Sequence, residues 1–267
     1  MKQHFKKIKA TWEVPNYHIQ LWKGKKQDYC VVIPVLNEGE RLRNLIKKMQ
    51  LVGIAKIADI IIVDGGTKDD SLATDWLKAH QVSGLLLKTG AGKLSAQLRC
   101  AYAFALEQGY EGIVTIDGND KDVPDPIPDF IQALKDGMDF VQASRFISGG
   151  IGENTPKSRD AAIRFIHAPI LSMASGFKWT DTTQGFRAYS RKMMVDPKVA
   201  LFRDIFSTYE LLAYLSYRIP RLGYKCIELA SVRRYPEGIV PTKISGVKGN
   251  WNIFKILLLA SIGFYNP

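Results

Sequence analysis

Residues 116–125 read IDGNDKDVPD and follow the apolar run Gly112–Ile116 without a break. A short apolar run that ends in clustered carboxylates is typical of a buried strand in a parallel sheet, where polar groups at the strand end face the edge at which α/β proteins bind ligands. The stretch therefore predicts an α/β fold with its chemistry at the end of this strand.

Apolar runs alternate with helical patterns on both sides of the acidic stretch. We predict strands at residues 29–35, 59–64, 84–88, 112–117 and 140–144, and helices at residues 38–49, 71–79, 94–108 and 127–135. Strands that alternate with helices at this spacing indicate right-handed crossovers and a mostly parallel central sheet with helices on both faces.

The alternation ends after Ser144. A glycine-rich connection at residues 149–156 leads to predicted helices at about 159–175 and 208–218, a strand at 225–229 and a last amphipathic helix from about Asn250. We divide the chain into a lead-in at residues 1–28, one domain at 29–246 and a C-terminal helix at 247–267.

Composition indicates a globular, basic protein. Hydrophobic residues make up 46% of the 267 residues and charged residues 24%, which is typical of globular chains. The net charge of +11 favours phosphates, nucleic acid or an anionic membrane surface, without choosing among them. The three cysteines lie far apart in apolar surroundings, which is typical of reduced packing cysteines in a cytosolic protein.

Neither end of the chain carries a predicted membrane segment. The basic N-terminus has no apolar region behind it, so we expect no signal peptide. The longest apolar stretch, residues 253–265, contains Lys255 and is shorter than the ~20 residues of a spanning helix. We expect a cytoplasmic protein whose membrane contact, if it has one, is peripheral.

Two phosphate-binding motifs are excluded. Gly90–Lys93 follows a predicted strand, but a P-loop needs glycine at position 87 and serine or threonine at position 94, where leucines stand. A dinucleotide fingerprint would need GxGxxG after the first strand, where the chain reads PVLNE. Neither a P-loop ATPase nor a Rossmann dehydrogenase is supported.

Three predicted strands end in polar groups: VIPVLNE at 32–38, VDGGTKD at 63–69, and the acidic stretch. In this order they resemble the family-2 glycosyltransferases, whose marks are VPxxNE, VDDGSxD and a DxD-type strand end. The later segments SRF at 144–146, GG at 149–150, EN at 153–154, Pro156, Arg159 and DTTQGFR at 181–187 resemble the dolichyl-phosphate mannosyltransferase branch.

The resemblance covers about residues 29–246 and carries expectations about fold and activity. It implies a GT-A nucleotide-sugar-binding fold. It also implies transfer of a sugar from a nucleotide-diphosphate sugar to a polyprenyl phosphate, with inversion at the anomeric carbon.

The resemblance also implies a donor site at the strand ends. The expected nucleoside contacts are Pro34, Leu36, Glu38 and Asp64. Gly65 replaces the second aspartate of VDDGS, which leaves the identity of the base open. The expected diphosphate contacts are Asp117, Arg187, Arg234 and Lys243.

A divalent ion, Mg²⁺ or Mn²⁺, would neutralise the departing diphosphate. The resemblance places Asp117 and Asn119 at the two DxD positions and Lys121 where a glutamine ligand is common. Asn119 is a weaker ligand than aspartate and a protonated lysine does not ligate. Either Asp120 or Asp122 would then supply the missing charge, and we predict Asp117, Asn119 and Asp122 around the metal. Direct neutralisation of the diphosphate by Lys121 is the alternative.

Arg145 and Arg159 match the arginines that the family uses to bind the acceptor phosphate. A phosphate is already ionised near neutral pH and needs alignment more than a base, so Asp181 would orient a substrate. With an alcohol acceptor a base is required, and Asp181 is the first candidate.

Several alternatives stay open. The acceptor could be a sugar hydroxyl instead of a lipid phosphate. The chain could also be a non-catalytic module that binds nucleotide sugars or nucleic acid, although we expect no nucleic-acid partner. The helix from Asn250, which includes Trp251 and Leu258, fits a membrane-interfacial helix and a helix packed on the domain equally well.

Overall fold

A computed structural model describes residues 2–236 and 246–267. Its main sheet has eight strands: β1 (Tyr17–Trp22), β2 (Tyr29–Val35), β3 (Asp59–Asp64), β4 (Val82–Lys88), β5 (Gly112–Thr115), β6 (Phe140–Ser144), β8 (Arg187–Ser190) and β9 (Cys226–Ala230). A second sheet pairs β7 (Ile151–Glu153) with β10 (Val232–Arg234).

The main sheet has the strand order β1-β4-β3-β2-β5-β8-β6-β9. The strands from β4 to β5 in this order are parallel, β8 runs antiparallel to both of its neighbours, and β1 is an antiparallel edge strand. The mostly parallel sheet that we predicted is confirmed. The carboxyl ends of β3, β2 and β5 therefore lie side by side at one edge.

Helices cover both faces of the sheet. They are α1 (Lys2–Lys9), α2 (Glu40–Val52), α3 (Thr74–Ala79), α4 (Leu94–Glu107), α5 (Ile127–Lys135), α6 (Lys157–Ala162), α7 (Ala168–Ser175), α8 (Arg191–Met194), α9 (Glu210–Arg221) and α10 (Gly246–Ser261), with a π-helical turn at Ile163–His167. One buried apolar cluster contains residues of α4, α9 and α10, and a second contains residues of α2 and α5.

Pro34 lies inside a central strand, where a missing N–H would normally break the pairing. The pairing of β2 with β5 ends at Val32, opposite Thr115, while β3 continues beside β2 as far as Asp64. Proline is tolerated at position 34 because the regular ladder between β2 and β5 ends before it, although the Gly118 amide still reaches the Pro34 carbonyl oxygen. The chain after β5 is then free to turn across the edge as the acidic stretch.

Two segments outside the predicted domain bounds pack against the domain. Residues 17–22, assigned to a surface lead-in, pair with β4 as β1. The last helix, α10, packs on α7 and α9 and buries Leu257 and Ala260, with Tyr265 after it. Among the described residues, no helix has both the length and the apolarity to span a bilayer.

Candidate active site

The acidic stretch lies against β2 at the shared strand edge. The Gly118 amide donates to the Pro34 carbonyl oxygen at 3.4 Å. Gly185, in the loop before β8, packs so closely on Asp117 that a Cβ there would lie 2.3 Å from the Asp117 carboxylate. Any side chain at position 185 would displace Asp117, so the glycine fixes where this carboxylate points.

The predicted nucleoside contacts come together on two interlocked loops. Asp64 accepts hydrogen bonds from the Gly66 and Thr67 amides at 3.0 and 2.8 Å. The side-chain oxygen of Asn37 accepts a hydrogen bond from the Lys68 backbone amide, and the Asn37 backbone amide donates to the Thr67 hydroxyl. These bonds hold the ends of β2 and β3 in one rigid rim.

The individual nucleoside candidates differ in what they can contact. Leu36 lies half-buried on the rim, and Pro34 is buried inside β2. Glu38 forms an ion pair with Arg41 at 2.8 Å. Asp64 is buried and shapes its own turn. The rim is therefore defined by its backbone as much as by these side chains.

Arg233, which we did not predict, lies between two of the predicted metal ligands. Its guanidinium forms an ion pair with Asp122 and approaches the Asp117 carboxylate to 3.6 Å. The side chains of Arg233 and Asp122 are 8% and 0% exposed. Burial raises the pKa of Asp122, as does Asp117, while Arg233 opposes both.

The position of Arg233 follows from strand pairing. Residues 121–123 run beside β10, with Asp122 and Arg233 directly opposite in an antiparallel bridge. Side chains of directly opposed residues lie on the same face, and the next residue points to the other face. Arg234 therefore turns outward, where it pairs with Glu153 at 2.8 Å. The register therefore directs Arg233, and not the predicted Arg234, toward the acidic stretch.

The residues between Asp117 and Asp122 have other partners. The Asn119 side-chain oxygen accepts from the Lys121 amide at 3.2 Å, and Asp120 binds Lys48 at 2.8 Å. The Lys121 ammonium lies 4.9 Å from the centre of the Tyr235 ring. Burial lowers the pKa of Lys121, and the nearby Arg233 lowers it further. Asp120 therefore does not join the two carboxylates.

Asp117 and Asp122 could together bind a divalent ion if the Arg233 guanidinium moved away from them. Asp117 keeps 23% of its side chain exposed, and Asp122 Oδ1 is buried without a hydrogen-bond partner among the described residues. Those residues contain no group of three or more His, Cys, Asp or Glu side chains placed to hold a metal. Mg²⁺ commonly binds through one or two carboxylates plus substrate phosphates, and Asp117 and Asp122 are two such carboxylates.

Arg145 and Asp181 are brought together as a buried ion pair. Arg145 Nε donates to Asp181 Oδ2 at 2.7 Å, and Gln184 donates to the same oxygen at 2.7 Å. Burial would raise the pKa of Asp181, but the Arg145 charge and these hydrogen bonds outweigh it and lower the pKa. A fully buried, stabilised carboxylate is a poor proton acceptor, which argues against Asp181 as a general base and favours a positioning role.

Arg187 is also removed from the predicted donor site. It is completely buried, and its guanidinium donates to the carbonyl oxygens of Gln184, Thr182 and Leu212 at 2.8 to 2.9 Å. These carbonyls belong to the loop before β8 and to α9. Arg187 therefore holds the protein together and does not face a ligand. Lys243 lies outside the described residues.

Arg159 and Tyr235 form the other half of the site. Arg159 Nη1 donates to the Tyr235 hydroxyl at 3.0 Å, and the tyrosine ring lies within 6 Å of Lys121, Arg159 and Arg233. Burial would raise the pKa of this tyrosine, but Arg233 and the hydrogen bond from Arg159 lower it to about 8. The cluster of three cations suits phosphate groups.

Comparison with known proteins shows the family of the chain. Residues 30–196 match the profile of Glycosyl transferase family 2. The chain belongs to this family. The match spans β2 to the residues just after α8, which includes the acidic stretch and the Arg145–Asp181 pair.

Curated relatives within the family include lipid-phosphate glycosyltransferases. The chain is 26% identical over 204 residues to an undecaprenyl-phosphate mannosyltransferase of Micrococcus luteus, covering 74% of this chain and 80% of that protein. It is 25% identical over 210 residues to a polyprenol monophosphomannose synthase of Mycolicibacterium smegmatis, covering 76% of each. A dolichol-phosphate mannosyltransferase of Pyrococcus furiosus is 30% identical over 131 residues, covering 47% of this chain and 35% of that protein.

Solved structures confirm the GT-A glycosyltransferase fold. A glucosyl-3-phosphoglycerate synthase from Mycobacterium tuberculosis, crystallised with Mn²⁺, UDP and its product, superposes with a TM-score of 0.58 at 14% identity, over 98% of this chain and 84% of that one. At this level of identity the likeness concerns the fold alone.

Proposed function

We propose that this glycosyltransferase moves a sugar from a nucleotide-diphosphate sugar to the phosphate of a polyprenyl phosphate. The names of the relatives in Micrococcus luteus and Mycolicibacterium smegmatis support this acceptor class. The observation that carries the proposal is that the site gathers cations and holds its described carboxylates in ion pairs. Asp122 is bound by Arg233 and Asp181 by Arg145, while Asp117 also lies near Arg233.

A site of this kind suits an acceptor that is already ionised. An alcohol acceptor needs a base that can take its proton, whereas a phosphate monoester carries its negative charge near neutral pH. Paired, buried carboxylates such as Asp181 supply no such base. The guanidinium of Arg159 and the neighbouring Lys121 supply the positive charge that a phosphate acceptor requires.

Each side chain has a part in the proposed transfer. The rim formed by Leu36, Glu38 and Asp64 would hold the nucleoside, and Asp117 and Arg233 would face the diphosphate. Arg145 keeps Nη1 buried without a hydrogen-bond partner among the described residues, which leaves one donor unsatisfied for the proposed acceptor phosphate. Asp181 would position Arg145 through their ion pair.

The reaction then needs only alignment. An acceptor phosphate oxygen bonds to the anomeric carbon while the bond from that carbon to the donor diphosphate breaks, and the nucleoside diphosphate leaves. Attack opposite the leaving group inverts the anomeric centre. We propose that Mg²⁺ or Mn²⁺ at Asp117 and Asp122 supplies charge neutralisation for the leaving diphosphate.

We further propose that the enzyme contacts a membrane surface through exposed apolar side chains near Arg159. On the helical stretch after α6, Phe165 and Met173 are 77% and 79% exposed, and Trp251 on α10 is 66% exposed. Phe165 lies in the π-helical turn and Met173 in α7, which follows it directly, so both belong to one continuous helical stretch. Exposed apolar groups beside basic residues are typical of interfacial helices, and a polyprenyl substrate resides in such a surface.

The test uses labelled UDP, GDP, CDP and dTDP sugars with polyprenyl phosphate or the matching polyprenol as acceptor, followed by lipid extraction. We expect lipid-soluble label with one donor and with the phosphate acceptor only. Equal labelling of the polyprenol, or label confined to water-soluble products, would replace the phosphate acceptor by a hydroxyl acceptor. No transfer from any donor would leave a binding module as the better hypothesis.

A further inference from the structure

Arg233 and a divalent metal ion have the same two partners, Asp117 and Asp122. The guanidinium binds Asp122 Oδ2 through Nη1 and lies 3.6 Å from Asp117 Oδ2 through Nη2. Both carboxylates belong to the metal site that the proposed function requires. We infer that Arg233 competes with the metal for these carboxylates and gives them up when donor diphosphate binds.

Electrostatic repulsion opposes joint occupancy. Arg233 binds Asp122 Oδ2, so a divalent ion at the same carboxylate would use Oδ1, which has no hydrogen-bond partner among the described residues. Two cations on the two oxygens of one buried carboxylate lie within several ångströms of each other, where like charges repel at low dielectric. Asp122 is completely buried and is held opposite Arg233 by the bridge between residues 121–123 and β10. Asp122 therefore cannot turn to solvent to serve both cations.

Arg233 needs another anion if it leaves. A buried guanidinium without a counter-charge is costly, and the remaining neighbours of Arg233 include the cation Lys121 and the phenol of Tyr235. The donor diphosphate would bind at the same edge of the sheet and replace the carboxylates as the anionic partner of Arg233. Metal and nucleotide therefore bind together, and each strengthens the other by the same factor.

Arg234 provides a matched control. It follows Arg233 directly, carries the same side chain and belongs to the same strand, but it points to the opposite face and pairs with the half-exposed Glu153. Neutralising Arg234 changes the net charge of the protein by the same amount as neutralising Arg233. It leaves the contacts of Asp117 and Asp122 unchanged.

The experiment measures Mn²⁺ binding directly, from the electron paramagnetic resonance signal of free Mn²⁺ during titration. For the wild type we expect about tenfold tighter Mn²⁺ binding in the presence of one of UDP, GDP, CDP or dTDP than in its absence, which lies within the usual range of coupling between sites. Arg233→Gln should bind Mn²⁺ alone about tenfold more tightly than the wild type and lose most of the nucleotide dependence. Arg234→Gln should behave as the wild type.

Loss of Arg233 leaves Asp122 without its partner, so each variant is first checked for a cooperative melting transition. If Arg233→Gln does not fold, Arg233→Lys takes its place in the experiment. Lysine keeps a positive charge near Asp122 but lacks the second nitrogen that approaches Asp117, so Mn²⁺ affinity should increase by a smaller factor.

Three results would overturn the inference. They are wild-type Mn²⁺ binding that does not depend on any nucleotide, folded Arg233 variants with wild-type affinity, and no Mn²⁺ binding by any variant with any nucleotide. The proposed transferase function is judged separately, because the lipid-transfer assay run with EDTA reports whether sugar transfer occurs without a metal.

Discussion

Arg145 and Asp181 form an ion pair of 2.7 Å in which the two side chains are 1% and 0% exposed. The pair joins the end of β6 to the loop before β8. Asp181 is held in turn through its backbone, since the Glu228 carboxylate accepts from the Thr180 and Asp181 amides at 2.9 Å. Arg145, which we propose as a contact of the acceptor phosphate, is thus held in place through interactions of the end of β6, the loop before β8 and β9.

Breaking this pair should destabilise the fold strongly. Asp181→Asn leaves a buried guanidinium without its counter-charge, which typically costs about 3–5 kcal/mol in the free energy of unfolding. The matched control is Asp160→Asn, because Asp160 pairs with Arg164 at 3.0 Å on the surface of the helix and such pairs contribute only about 0–1 kcal/mol. Urea unfolding measures both. Equal losses in the two variants would contradict a structural role for the Arg145–Asp181 pair.

The same pair predicts how stability changes in acid. The pKa of Asp181 is lower in the folded protein than in the unfolded chain, so the unfolded state binds more protons as the pH falls. The contribution of the pair is complete above the ordinary aspartate pKa of about 4 and is lost as the pH falls through the folded value. Unfolding free energies of the wild type should drop more steeply below this pH than those of Asp181→Asn. If the unfolding free energies of the two proteins fell in parallel with pH, Asp181 would not be the cause of the loss of stability in acid.

Tyr235 should ionise at a lower pH than an ordinary tyrosine. Arg233 and Arg159 stabilise its phenolate and lower its pKa to about 8. Absorbance of the phenolate during an alkaline titration should show a single early step that Tyr235→Phe abolishes. Arg159→Met should move that step to higher pH, because the variant removes a hydrogen bond of 3.0 Å to the phenol oxygen. An early step that persists in Tyr235→Phe would show that the cations act elsewhere.

Arg187 should affect stability and leave donor affinity unchanged. Arg187→Lys removes several hydrogen bonds to buried carbonyl groups, and each unsatisfied buried group costs about 1–3 kcal/mol. Thermal unfolding should show the loss, while the KM for the nucleotide sugar stays at the wild-type value. A raised KM in a variant of unchanged stability would return Arg187 to the donor site.

Membrane contact should depend on the exposed apolar groups of two helices. Phe165→Ser and Trp251→Ser should each weaken binding to vesicles that contain anionic lipid, because burial of a large apolar side chain contributes about 1.5–3 kcal/mol. Leu51→Ser is the control, since Leu51 is 88% exposed but belongs to α2. Flotation with vesicles measures the effect. Equal weakening by Leu51→Ser would argue against a specific membrane-facing surface.

The central sheet and its functional edge could be predicted from the sequence because the strands are marked by local patterns. The strands at residues 29–35, 59–64 and 140–144 and the helix at 127–135 have the predicted bounds. Apolar and polar residues alternate from Tyr17 to Leu21, but the strand β1 was missed because the lysine- and aromatic-rich residues around it show no clear period. In the structure a register shift after Ile19 interrupts the strand, and His18, Ile19 and Gln20 are all exposed.

The side-chain contacts of the site could not be predicted in the same way, because they depend on pairing between distant segments. Whether Arg233 or Arg234 faces the acidic stretch depends on the register of β10 against residues 121–123, and a shift by one residue exchanges the faces. Asp181 and Arg187 carried the residue types of a catalytic site, but their burial is decided by the loop before β8 and by α9. Local sequence patterns contain neither piece of information.

The most direct measurement is the initial rate of sugar transfer to polyprenyl phosphate by the wild type and by Asp117→Asn, at saturating donor. Asp117 alone among the predicted ligands keeps a partly exposed carboxylate beside Gly185 and Arg233. Loss of one group that stabilises developing charge typically lowers kcat by about 10²–10³. We predict lipid-linked sugar with the wild type and a loss of that size with folded Asp117→Asn. A variant that forms lipid-linked sugar at the wild-type rate, or a wild type that forms none with any donor, would contradict the proposed function.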